Sequence, residues 1–140
     1  MATSRPFSAR LSASVADRLE RRRERTGESK SRLAERYIDE GMRLDDYPGI
    51  IFRDGPTGRR AALPAGPDVW QVVWVLREIG EGEPAIAAAR EWMSLTDGQV
   101  RAAIRYWRAF PDEVDERIRD NAEGADAAEE VWRREQRAMR

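Results

Sequence analysis

The stretch RPFSARLSAS, residues 5–14, places a short alternating segment directly before a charged helical pattern. In a β-strand, Phe7, Ala9 and Leu11 would share one face, and Ser8 and Arg10 would share the other. A single strand of this length is not stable in water. We therefore expect this segment to pair with another strand, and the sequence that follows indicates which one.

Two helical patterns come next. Ser12 is a suitable N-cap for the first helix, and Gly27 is a typical C-terminal stop. Ser29 is a second N-cap, and we expect the second helix to end near Leu44. Its apolar residues recur at helical spacing, namely Leu33, Ala34, Tyr37, Ile38, Gly41 and Met42. A strand-helix-helix unit of this size is too small to bury a core, but two copies could pair their strands antiparallel and interlock their helices.

Positive charge is concentrated in this first part of the chain. Residues 1–43 contain eleven basic and seven acidic residues, a net charge of +4, whereas the whole chain carries −1. The remaining residues therefore carry −5. This asymmetry favours an anionic partner for the first part, the alternative being a solvated charged helix face.

The segment FSARLSASVADRLERRRERTGESKSRLAERYIDEGMR resembles the ribbon-helix-helix DNA-binding proteins of the Arc/MetJ/CopG type. The resemblance covers Phe7 to about Arg43 and rests on the alternating strand, LS before the first helix and G-x-S-K-S before the second. It implies an obligate dimer whose two-stranded ribbon enters the DNA major groove. Arg22 and Arg23 stand where that family usually has an apolar core residue, so the first helix should lie near the rim of the dimer there. The alternative is a plain helical hairpin that only dimerises.

The resemblance also implies which residues contact DNA. Ser8 and Arg10 would face the bases, and the Arg10 guanidinium could bind guanine O6 and N7 together. Ser29, Lys30 and Ser31 match the start of the second helix, where free backbone N–H groups favour a phosphate. Arg5 could add a contact to the DNA backbone.

LDDYPG marks a boundary, after which a β-hairpin is predicted with arms at residues 50–53 and 59–63. A helix capped by Asp68 follows, and then a helix-turn-helix pattern in which Thr96 caps the second helix. The chain from about Pro48 to Asn121 resembles a small winged-helix-like family. The resemblance rests on the hairpin together with the motifs GP-DVW, LT-x-x-QVRAAIRYW and FPDEVDERI. Members of this family are often antitoxins of the VapB kind, paired with PIN-domain ribonuclease toxins. The candidates for a second DNA contact are Thr96, Gln99, Arg101 and Arg105, but nearby acidic residues favour a role in dimerisation or toxin binding.

Residues 122–140 are predicted as a C-terminal tail that opens with a flexible stretch and continues as a marginal helix. An amphipathic segment of this kind could order on a partner, with Trp132 as a buried anchor. The candidate toxin-binding residues are Val131, Trp132, Arg133, Arg134 and Arg137. The resemblance implies that an arginine would compete with the metal of an acidic PIN active site. The alternative is a helix that folds back and buries Trp132 in its own core.

The sequence therefore predicts a mainly α fold with minor β structure. It comprises an intertwined dimerising domain (1–46), a winged-helix-like domain (47–121) and the tail (122–140). We expect an antitoxin that neutralises a PIN-domain toxin. It would also repress its own operon by binding double-stranded DNA as a dimer or higher homo-oligomer. The alternative is a stand-alone transcriptional regulator without a toxin partner. The absence of histidine and cysteine argues against an enzyme, a metal site and a cofactor. Without an apolar signal or spanning segment, we expect a cytoplasmic protein with no membrane contact.

Overall fold

The computed structural model describes residues 3–139 and is mainly helical. The helices are α1 (Ala13–Thr26), α2 (Lys30–Asp46), α3 (Val69–Ile79), α4 (Gly82–Met93), α5 (Asp97–Ala109) and α6 (Pro111–Ala138), and the strands are β1 (Ile51–Arg53) and β2 (Arg60–Ala62). The predicted class, mainly α with minor β, is confirmed at this level. The chain divides into two compact units, which we call unit 1 (Met1–Arg43) and unit 2 (Leu44–Arg140). The division falls inside α2, slightly before the predicted boundary at residue 46.

Unit 1 begins with residues 3–12, which we call the arm. In this single chain the arm has no regular secondary structure and is exposed throughout. The predicted ribbon strand is thus not formed within one chain, where a strand has no partner for its backbone N–H and C=O groups. Pairing with the arm of a second chain stays a prediction.

The two helices of unit 1 begin and end where their capping residues predict. The Ser12 hydroxyl accepts a hydrogen bond from the Val15 N–H at 3.3 Å, and Gly27 ends α1 with φ +74°. This left-handed conformation is accessible to glycine at little cost. Ser29 starts α2, because its side chain accepts from the Arg32 N–H at 3.2 Å and its carbonyl accepts from the Leu33 N–H at 3.0 Å.

Unit 2 is built around α3, which packs against α4, α5 and α6. The residues Val69, Val72, Val73 and Leu76 form its buried face, as their helical spacing predicts. The two strands form the predicted hairpin in antiparallel register, with Phe52 opposite Ala61. Tyr106 of α5 is fully buried and makes edge-on contacts with Tyr47 and Phe52, at centroid distances of 5.9 and 6.2 Å.

The helix-turn-helix pattern corresponds to α4 and α5. Ser94 forms the turn in the left-handed conformation at φ 56°, and Thr96 caps α5 in a reciprocal pair with Gln99. The Gln99 side chain accepts from the Thr96 N–H at 2.8 Å, and the Thr96 hydroxyl accepts from the Gln99 N–H at 3.1 Å. This capping box satisfies two backbone donors at the helix start.

The predicted tail is the continuation of α6, a single helix of 28 residues. The expectation of a flexible stretch after Asn121 is therefore wrong. That stretch is rich in alanine, the strongest helix former, and the one glycine in it, Gly124, costs only about 1 kcal/mol. Folding back of the tail is also wrong, because Trp132 is 59% exposed and no side chain between residues 119 and 135 is buried.

Candidate nucleic-acid interface and exposed C-terminal helix

The arm presents its polar and apolar residues to solvent alike. Phe7 is 78% exposed and Leu11 is 51% exposed. Within residues 3–139, the predicted DNA-contacting residues Arg5, Ser8 and Arg10 make no hydrogen bond or ion pair. Their hydrogen-bonding groups are thus available to a partner. The apolar residues of the arm, which the alternating pattern predicts to be buried, are exposed in the single chain.

The start of α2 carries the predicted phosphate-binding residues. Because Ser29 caps the helix with its own hydroxyl, the backbone N–H groups that it leaves uncapped at this end are those of Lys30 and Ser31. Positive dipole potential is expected at such a helix start. The Lys30 ammonium is about half exposed and lies 2.6 Å from the Glu20 carboxylate of α1.

Glu20 connects the two helices of unit 1 electrostatically. Hydrogen bonds from Arg23 and Lys30 lower the pKa of Glu20 to about 2. The carboxylate therefore stays ionised at neutral pH and holds Lys30 at the start of α2 in the free protein. A DNA phosphate would have to share or replace this carboxylate. Sequence reasoning missed this contact, because residues 20 and 30 lie on different helices.

The second possible DNA-binding surface, on α5, is largely occupied by internal contacts. Thr96 and Gln99 bond to each other in the cap described above. Arg101 forms ion pairs with Asp97 and Glu83, each at 2.7 Å, and these contacts, chiefly the hydrogen bond to Glu83, raise the pKa of Arg101 above its usual value. Of the four candidates, Arg105 is the one that makes no such contact within the described residues.

The hairpin of unit 2 contains an ion cluster that the sequence did not reveal. Asp68 is buried, and its carboxylate accepts hydrogen bonds from Arg53 at 3.0 Å, from Trp70 Nε1 at 3.1 Å and from Arg60. Arg53 and Arg60 are directly opposite each other on the two strands. The carboxylate thus bridges two neighbouring guanidinium groups, reduces the repulsion between them and connects the hairpin to the start of α3.

A groove of about 520 Å³ lies between α3, α4 and α5. Its apolar floor includes Ile86, Ile104 and Trp107. The Arg77 guanidinium lies 5.3 Å from the centre of the Trp107 ring, and both residues hydrogen-bond to Asp115. Arg77 and Trp107 are therefore held in place by contacts within unit 2.

The exposed part of α6 carries all the predicted toxin-binding residues. Val131 and Trp132 are more than half exposed, as is Met139 near the end of the helix. The predicted arginines pair along the same helix, Arg133 with Glu129, and Arg134 and Arg137 with Glu130. The first two pairs are i,i+4 and contribute only about 0.3–0.5 kcal/mol each, so a partner could displace them at little cost.

No protein-family model matches the chain, and neither a curated protein nor a solved structure shows significant similarity to it. Within the described residues, no helix is both long enough and apolar enough to span a bilayer. The same residues contain no cluster of His, Asp or Glu side chains suited to a metal ion. A functional assignment therefore has to rest on the sequence pattern and on the surfaces described above.

Proposed function

We propose that this protein is a dimeric DNA-binding repressor of the ribbon-helix-helix type that also serves as the antitoxin of a PIN-domain ribonuclease toxin. The observation that carries the proposal is the exposure of the apolar residues of unit 1 beside an unpaired, alternating arm. In the proposed dimer, two arms pair as an antiparallel ribbon and the α2 helices pack together. The ribbon then reads the operator of the protein's own operon.

A dimer is favoured because most hydrophobic side chains of unit 1 are not buried within the single chain. Among its described residues, Leu33 is the hydrophobic side chain that is buried, whereas Ile38 and Met42 on the same helix are about half exposed. A unit of about 40 residues normally needs a metal, disulfides or oligomerisation to be stable. Cysteine is absent, so oligomerisation is the route that the residues favour.

The case for DNA rests on charge and on donor geometry. Unit 1 carries a net charge of +4, and Arg10 alternates with the apolar residues that would form the dimer core. An arginine on the outer face of a ribbon can donate two parallel hydrogen bonds to a guanine. The start of α2, with Lys30, offers a phosphate site of the kind that fixes register on the duplex.

Arg10→Ala and Lys30→Ala test this assignment as a pair. Arg10→Ala should reduce the preference for the selected duplex over a scrambled one by about 1–3 kcal/mol per half-site, because each arm of the dimer loses one bidentate base contact. Lys30→Ala should weaken binding to both duplexes and reduce the salt dependence. Fluorescence anisotropy at several salt concentrations measures both effects. If both variants bind as the wild type does, the ribbon does not read DNA.

The antitoxin role is supported by α6. From Arg119 to Ala138 the helix extends for about 30 Å with no buried side chain, at a rise of about 1.5 Å per residue. Most helical stability in proteins comes from tertiary packing, which this segment lacks within the described residues, and an exposed tryptophan is a typical anchor in protein interfaces. The arginines beside Trp132 suit an acidic partner site, such as the carboxylate cluster of a PIN nuclease.

Co-purification tests the antitoxin role. The partner is the product of the reading frame adjoining this gene, expressed with either the full chain or a chain ending at Asp120. We expect the full chain to retain the partner and silence its ribonuclease activity, and the shorter chain to do neither. Retention by both forms would place the contact within residues 1–120. If neither form retains the partner, the stand-alone regulator is the better assignment.

A further inference from the structure

Four arginines form one continuous face of α1. Arg18, Arg21, Arg22 and Arg25 follow the spacing i, i+3, i+4 and i+7, which places them on the same side of a helix. All four are exposed. We call them the α1 stripe, and it extends for about 10 Å along the helix axis.

The α1 stripe carries four positive charges that no ion pair within the described residues neutralises. Among residues 3–139, none of the four guanidinium groups makes a hydrogen bond or ion pair. The neighbouring Arg23, on another face of α1, is bound to Glu20. The acidic residues Asp17 and Glu24 lie beside the stripe, four residues before and three residues after Arg21, but within residues 3–139 neither forms an ion pair with any of its arginines. Like charges at these spacings destabilise a helix, so the arrangement favours an anionic partner.

We propose that the α1 stripe binds the phosphate backbone of duplex DNA next to the site read by the arm. This inference rests on the proposed DNA-binding function and extends it to a second contact. The stripe begins about 9 Å beyond Ser12, where the arm ends, so a duplex held by the arm lies within its range. Duplex DNA presents about one negative charge per 1.7 Å of its axis, so a stripe of this length can face several phosphates.

The chemistry of the stripe favours nucleic acid over an acidic protein. Guanidinium groups match phosphate oxygens through paired hydrogen bonds. Protein interfaces, in contrast, usually have an aromatic or aliphatic anchor at their centre. The α1 stripe consists of guanidinium groups alone, in a row, which suits a partner with a regular row of negative charges.

Two variants on the same helix test the proposal. Arg21→Gln removes one charge of the stripe, and Arg23→Gln removes one charge from the ion-paired neighbour. The ligand is a duplex selected by the protein from a random pool, with long flanks. For a dimer, Arg21→Gln should reduce the slope of log K against log salt by about 1.8, because about 0.9 is lost per phosphate contact. Arg23→Gln should leave the slope unchanged, and trimming the flanks should abolish the difference between the variants.

The outcomes separate this inference from the proposed function. If Arg10→Ala lowers sequence preference but Arg21→Gln and Arg18→Gln both keep the wild-type slope, the stripe does not bind DNA and the repressor assignment stands. If the wild type binds no duplex, both are wrong. Arg18→Gln is an independent second variant, and circular dichroism establishes that each variant keeps its helices. An unchanged slope in both stripe variants overturns the inference.

Discussion

At the scale of single residues, the most consequential contact that the structure adds is the one between Asp68 and two arginines. A buried carboxylate is costly unless its charge and lone pairs are matched. Here Arg53 and Arg60 match the charge, and the Trp70 indole N–H supplies a further hydrogen bond. One carboxylate thus connects both strands of the hairpin to the helix on which unit 2 is built.

Asp68→Ala should destabilise unit 2 by about 3 kcal/mol, the lower end of the range for a broken buried ion pair, because the arginines are partly exposed and can rehydrate. Urea denaturation followed by tryptophan fluorescence measures the change. Asp54→Ala is the control, since the Asp54 side chain is 82% exposed and its contact with Arg59 is 3.4 Å long. A surface pair of this kind contributes about 0–1 kcal/mol. Equal losses in the two variants would show that burial of Asp68 does not matter.

At the scale of elements, α6 differs from the other helices of unit 2 because no side chain in its second half is buried. Gly124 is the last residue of the first half, directly before this exposed part, and a Cβ added there would meet no atom within 4 Å beyond the helix's own backbone. Gly80, after α3, also has open space around it, but its φ is +136°. Both glycines therefore have space for a Cβ atom, and they differ in backbone conformation.

Gly124→Ala should stabilise the second half of α6 by about 0.5–1 kcal/mol, because alanine loses less backbone entropy in a helix. Gly80→Ala should be destabilising instead, because an L-residue is strained at a positive φ. Amide hydrogen exchange over residues 122–138, together with the thermal midpoint of unit 2, measures the two effects. Faster exchange after Gly124→Ala would mean that this part of α6 is not an ordinary helix.

The sequence was sufficient for features set by local chemistry. Ser12, Ser29, Asp68 and Thr96 were predicted as helix starts, and each stands immediately before a helix. The length of α6 was missed because Gly124 and the acidic residues around it resemble a linker, although alanine outweighs them. The Asp68 cluster was missed because its partners lie 8 and 15 residues away, which no periodic pattern reveals. The ribbon strand depends on a second chain and stays a prediction.

At the scale of the whole molecule, the two units differ in how much of their apolar surface they bury. Unit 2 has a continuous core that includes Leu63, Val73, Val100 and Tyr106, all fully buried. Unit 1 has no comparable cluster among its described residues. Because burial of apolar surface is the main favourable term in folding, the stability of unit 1 should depend on a second copy, whereas that of unit 2 should not.

Thermal unfolding of the full chain should therefore show two transitions, of which the lower depends on protein concentration. Each tenfold increase in concentration should stabilise the proposed dimer by about 1.4 kcal/mol, while the upper transition stays fixed. Leu11→Asp places a charge on the apolar face of the arm and should remove the concentration dependence. Arg133→Asp, in the exposed part of α6, is the matched control and should preserve it. Circular dichroism at concentrations spanning about two decades, with sedimentation equilibrium, measures both. If the midpoint of the lower transition does not change with protein concentration in the wild type, unit 1 is stable as a monomer. The proposed ribbon dimer would then be wrong.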